Sequence, residues 1–240
     1  MKKTLKTIIT VLTAGILFTG TAFAAGNYTK GLDIAFGPEL AMTDYKFQFT
    51  DDDTNYEDHY KDIIAKLKIS TYDCFLFNDT VGVYAELGIP FGGHRWYKWE
   101  QGSSTTDSDK GIFQGGIEFM AGPAFGINLG SSDIRLQGAV AFHMKYLAET
   151  KNDLYVKGDS MDYTDWWMGI GCDIQARFMA DRRFSPIVGV TAVFDPWYRE
   201  TMKYNDAVNS YSDSATNKDR DFDSIRRLSV MPYIGLGINF

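Results

Sequence analysis

The stretch Pro232–Phe240, PYIGLGINF, ends the 240-residue sequence and decides how the rest is read. Alternate residues counted back from the end put Phe240, Ile238, Leu236 and Ile234 on one face. Asn239, Gly237, Gly235 and Tyr233 take the other. A period of two is the signature of a β-strand. Soluble chains commonly fray into polar residues at their termini, whereas this strand is apolar on one face to its last residue.

The same alternation recurs along the chain. Eight stretches carry it, at 31–49, 61–77, 81–99, 111–129, 133–149, 163–180, 184–204 and 226–240. The connections between them are of two kinds. Asn78-Asp79-Thr80, Gly130-Ser131-Ser132 and Asp181-Arg182-Arg183 are short and turn-like. The segments 50–60, 100–110, 150–162 and 205–225 are long and rich in Asp, Ser, Thr and Asn, as in QGSSTTDSDK. Long and short connections alternate strictly, which predicts an all-β, eight-stranded antiparallel up-and-down barrel.

The polarity of the two faces says what surrounds the barrel. In the fifth stretch Ile134, Leu136, Val140, Phe142, Met144 and Tyr146 oppose Arg135, Gln137, Ala139, Ala141, His143 and Lys145. In the fourth, Phe119, Phe125, Ile127 and Leu129 oppose Glu118, Gly122, Gly126 and Asn128. The lumen of an eight-stranded barrel is only wide enough to be filled by side chains. The glycine-rich, polar face therefore points in, and the bulky apolar face points out. A soluble ligand-carrying barrel needs the reverse. The outward face meets lipid, and contact with lipid demands a closed sheet with no free edge.

Composition and the first residues agree. Hydrophobic residues make up 45% of the chain, yet mean hydropathy is −0.22, so the apolar residues are dispersed as alternation requires. Lys2, Lys3 and Lys6 precede an apolar run from Ile8 to Phe18 and the small-residue site Ala22-Phe23-Ala24. This is the pattern of a secretory signal peptide, residues 1–24, cleaved after Ala24, leaving residues 25–240 as the barrel domain. The formal net charge is −7. Without the first 24 residues it becomes −10, 21 Lys and Arg against 31 Asp and Glu, a balance that excludes nucleic acid as a partner.

The final strand, with Ile234, Leu236, Ile238 and terminal Phe240, resembles the C-terminal assembly signal of bacterial outer-membrane barrels. The whole plan resembles the small barrels of the OmpA transmembrane domain and OmpX type, within the porin-like β-barrels. That resemblance implies a location in the bacterial outer membrane. It also implies partners: periplasmic chaperones, the barrel-assembly machinery, membrane lipid and lipopolysaccharide. Unlike full-length OmpA, the sequence stops at the barrel.

Within this frame the candidate functional residues fall into four sets. Inward charges of both signs, Glu39, Lys66, Lys68, Glu86, Glu118, Arg135, Lys145, Asp173 and Arg177, are expected to pair, because an unpaired buried ion is very costly. Tyr97, Trp99, Tyr146, Trp166 and Tyr198 at the loop ends, and Phe125, Phe178 and Phe240 at the turn ends, are expected to form two interfacial aromatic belts. Ile234, Leu236, Ile238 and Phe240 form the assembly signal. Tyr56, Tyr155 and Tyr211 are candidate loop contacts for an extracellular ligand.

No catalytic set is expected. His59 lies in a loop, His94 beside a Gly-Gly pair and His143 in the lumen, none with a neighbouring nucleophile. TDDDTNYED has Tyr56 where an EF-hand needs glycine, so no metal site or cofactor is expected. Cys74 and Cys172 lie on strands two and six, opposite each other across the barrel and too far apart for a disulfide. Two strand irregularities are expected: a bulge near Thr71 turning Asp73 inward, and a change of phase in the first strand near Thr43–Tyr45. Two functional readings stay open: a surface or structural module with a plugged lumen, and a narrow channel for ions or small solutes.

Overall fold

The computed structural model describes residues 31–48, 55–101, 104–129, 134–152, 160–205, 210–216 and 222–239. The segment expected to be a signal peptide, and its cleavage site, lie outside them. Among the described residues there are nine strands: β1 (Gly31–Gln48), β2 (Asn55–Leu76), β3 (Val81–Gln101), β4 (Ser104–Leu129), β5 (Ile134–Asn152), β6 (Ser160–Phe178), β7 (Phe184–Asn205), β8 (Ser210–Thr216) and β9 (Phe222–Asn239). Each of β1 to β7 pairs antiparallel with its successor, β7 pairs with β9, and β9 pairs with β1. Eight strands thus close a ring. β8 is an addition: it lies along the outer end of β7, from Arg199↔Thr216 to Asn205↔Ser210.

Closure is made by β1 and β9, from Gly31↔Asn239 to Phe47↔Phe222. At this seam Gly37 leaves no room for a side chain, since a Cβ would stand 2.0 Å from the Pro232 carbonyl oxygen. The last strand, apolar on one face, is therefore the strand that completes the ring.

The strands reach further than the alternation of apolar residues indicates. β3 and β4 remain paired out to Gln101↔Ser104, so the 100–110 segment is mostly hairpin rather than loop. The 205–225 segment contains β8, and Tyr56 and Tyr211 are strand residues rather than loop residues. The reason is physical. Ring strands run from 18 to 26 residues, while about 9–11 suffice to cross a bilayer. Above that band backbone pairing continues, but there is no apolar face left to report it.

Two bulges re-aim side chains. Gly92, with φ +62°, sits in a register shift between Phe91 and Gly93. It reverses the parity of β3, so that Arg95 faces in and Trp96 out. On β7, Met168 opposes Trp197 while Ile170 opposes Phe194, which leaves Asp195 and Pro196 against the single Gly169. A bulge is where a strand tolerates proline.

Neither expected irregularity occurs in its expected place. β2 keeps register from Ala65 to Cys74, with the shift between Cys74 and Leu76 instead of near Thr71, and Asp73 is buried without it. β1 keeps its inward parity through Thr43 to Tyr45, because the tyrosine ring packs inside against Trp167 and Tyr198.

Candidate functional site: the charged lumen

The inward faces of all eight ring strands converge on a lumen filled with ionisable side chains. Glu39 on β1 accepts from Lys145 and, at 2.9 Å, from Arg227, with Lys66 at 3.6 Å. Glu118 on β4 accepts from Lys66 at 2.5 Å, and stands 3.2 Å from Lys145 and 3.4 Å from His143 Nε2. The other nitrogen of that ring, Nδ1, lies 2.6 Å from Asp195 Oδ1. Glu86 links this group to the next. It lies 3.4 Å from Lys66 and 3.2 Å from Lys68, and takes the Tyr84 hydroxyl bond.

Toward the turn end the network continues through Asp173. This carboxylate accepts from Lys68, from Tyr72, from Tyr233 at 2.9 Å and from Thr191 at 2.5 Å. The Lys68 ammonium stands 4.1 Å over the Tyr233 ring, a cation–π contact. Gln175 then donates to Asp33 at 2.7 Å and to Gln137 at 2.8 Å. Arg177 donates to Asp33 and, at 2.5 Å, to Asn239, and Arg135 to the Asn128 side chain at 2.9 Å and the Asp79 carbonyl. A cavity here, lined by Tyr72, Cys74, Arg135 and Arg177 among others, has a volume of about 10 Å³, room for one water.

All nine residues of the expected lumen set are buried on the inward side. Sequence reasoning left out Asp33, Asp195 and Arg227, and it placed His143 in the lumen without a partner. Parity on the first and last strands was enough to find Asp33 and Arg227. Asp195 stands at the β7 bulge, and the Arg95–Asp62 bidentate pair (2.8 and 3.0 Å) depends on the Gly92 bulge. No alternation rule anticipates either.

On the outer wall, Phe125, Phe178 and Trp166 are exposed, and Tyr146 packs on Trp166 with ring centroids 4.9 Å apart. Tyr198 is a correction. The bulge at Asp195–Pro196 turns it inward, where it is buried against Trp167 at 4.3 Å, and Trp197 takes the outward position. The side chains of Tyr97, Trp99, Tyr56 and Tyr211, and the whole of Tyr155 and Phe240, lie outside the described residues. Ile234 and Leu236 face outward and exposed. Both cysteines are free, Cys74 buried in the lumen and Cys172 exposed on the outer wall.

Above the apolar band of β6, which begins at Trp166, an inward carboxyl pair caps the lumen. Asp165 and Glu200 are direct cross-strand neighbours. The Tyr198 hydroxyl donates to Glu200 at 2.5 Å and stands 3.2 Å from Asp165. Burial, then the charge of Glu200, pushes the Asp165 carboxyl up to about 7. A carboxyl whose folded pKa exceeds its unfolded value holds its proton longer in the folded state. Its contribution to stability is therefore lost as pH rises from about 4 to about 7. Asp165→Asn is expected to flatten stability over that window. Urea midpoints of the refolded barrel at pH 4.5 and 7.5 test it; equal pH slopes for variant and parent would refute the assignment.

No family model matches this chain, and no curated protein matches it. Solved structures do. The outer-membrane protease OmpT from Escherichia coli is 11% identical, with 88% of this chain and 96% of that one aligned at a TM-score of 0.50. A major outer-membrane protein from Thermus thermophilus is 10% identical, with 86% of this chain and 99% of that one aligned at 0.53. At these identities the likeness is one of fold. The closed ring, its inward charges and outward apolar wall make this chain a small β-barrel of the outer-membrane type.

Proposed function

We propose that the chain is an integral protein of the bacterial outer membrane, acting as a surface and structural module with a side-chain-plugged lumen. The observation that carries this reading is the continuity of the buried network. From Arg227 and Glu39 through Glu118, Lys66, Glu86, Lys68 and Asp173 to Arg177, each charge is held by a neighbour on another strand. A hydrated ion crossing the lumen has to break several such pairs in a low-dielectric interior. The outward apolar wall supports membrane placement, since contiguous exposed hydrophobic surface of this extent is foreign to a soluble monomer. Chaperones, the assembly machinery and an extracellular ligand remain the partners expected of such a module.

No catalytic role is proposed. His143 is sealed between Asp195 and Glu118, and His59 pairs with Asp44 on the outward face of the barrel. The test is conductance. The refolded barrel in a planar bilayer is expected to pass no stable current, with folding confirmed by heat-shifted mobility on gels. Reproducible single-channel steps from the folded protein would overturn the plug and favour a narrow channel.

A further inference from the structure

At the turn end of the lumen two strands set like charges face to face. Arg135, near the start of β5, is the direct cross-strand partner of Arg177, near the end of β6. Both are buried, at 7% and 4% exposed. Like charges directly opposite one another destabilise a sheet, and a buried pair is screened far less than a surface one. The backbone leaves the two guanidiniums room to lie close against it. A Cβ on Gly126 would stand 2.5 Å from Arg135 Nη2, and one on Gly237 would stand 2.7 Å from Arg177 Nη1.

The carboxylate of Asp33 answers Arg177, whose other acceptors, Asn239 Oδ1 and Gln137 Oε1, are neutral. Arg135 donates to Asn128 Oδ1 and to the Asp79 carbonyl, both neutral. The cavity with room for one water lies against both guanidiniums. Its remaining walls are Tyr72, Cys74, Gln137, Ala180 and Asn239, so among the described residues its lining carries two positive charges and no carboxylate. Asp73, buried and next to Cys74 in the chain, is not part of that lining. The Tyr72 hydroxyl is already committed to Asp173.

We propose that this cavity is a chloride site, the ion being held between Arg135 and Arg177. A halide accepts N–H donors from both guanidiniums and offsets the repulsion between them, which is how buried charge is made tolerable. A space for one water takes a monoatomic anion, whereas sulfate and phosphate are too large for it. The bound ion would tie β5 to β6 at the turn end of the lumen. The site needs only the closed ring of strands, so its success or failure is separate from the plug and from the membrane reading.

The test is urea unfolding of the full folded barrel in zwitterionic-detergent micelles, followed by tryptophan fluorescence. Sodium gluconate replaces sodium chloride stepwise at constant ionic strength. An anion bound by the folded state alone lowers the unfolding constant, by close to tenfold for each tenfold rise in chloride above its dissociation constant. That dependence is expected of the parent and is expected to be lost in Arg135→Gln. Equal parent midpoints in chloride and gluconate would overturn the proposal, as would a variant that keeps the parent's chloride dependence. Chloride NMR linewidths of the parent provide a second measurement that needs no variant. The folded barrel is expected to broaden the signal beyond detergent alone, and bromide is expected to relieve the broadening. No excess broadening, or broadening that bromide leaves unchanged, would also overturn the site.

Discussion

Glu118→Ala is expected to destabilise the folded barrel by about 3–5 kcal/mol, the scale on which removing one partner leaves buried charges uncompensated. Three groups lose their carboxylate at once: Lys66 at 2.5 Å, Lys145 at 3.2 Å and His143 at 3.4 Å. Two of them keep other acids, Glu39 for Lys145 and Asp195 for His143. Lys66 keeps Glu86 and Glu39 only at 3.4 and 3.6 Å, so the main loss falls on it. Urea unfolding in lipid vesicles, followed by tryptophan fluorescence, measures the effect. A double-mutant cycle with Lys66→Met separates the pair from the rest of the network. A loss below about 1 kcal/mol would mean that water reaches Glu118 and that the lumen is not a closed plug.

Ile174→Arg is expected to cost about 2–4 kcal/mol in a bilayer, the depth-dependent penalty for a cation near the midplane on the lipid face of a barrel. Ile174 is 61% exposed near the middle of the apolar band of β6, between Gly138 of β5 and Val190 of β7. Thr164→Arg, on the same outward face beyond Trp166, is expected to cost no more than about 1 kcal/mol. The contrast is the informative quantity. On a water-facing wall both substitutions would fall within about 0.5 kcal/mol of neutral, and equal, small effects would remove the membrane reading.

Much of this molecule was legible before its structure. The inward charges on β2, β4, β5 and β6 could be named because an unbroken period of two assigns every side chain to a face. The reading failed where that period breaks. Alternation alone places Tyr198 against lipid because the bulge at Asp195–Pro196 leaves no mark in hydrophobicity, although Pro196 within a strand is a clue. The extensions of β3 and β4 past the band, and β8, are indistinguishable from loop in the sequence, because polar strands held by backbone hydrogen bonds look like polar loops in composition.

The architecture, the polarity of the two faces and the membership of most of the lumen follow from local pattern. Alternation, glycine placement and turn composition are local properties that each strand carries alone. Which charge meets which is set by the folded ring. Lys145 reaches Glu39 across 106 residues, and Arg177 reaches Asp33 across 144, so their pairing depends on the register with which the ring closes.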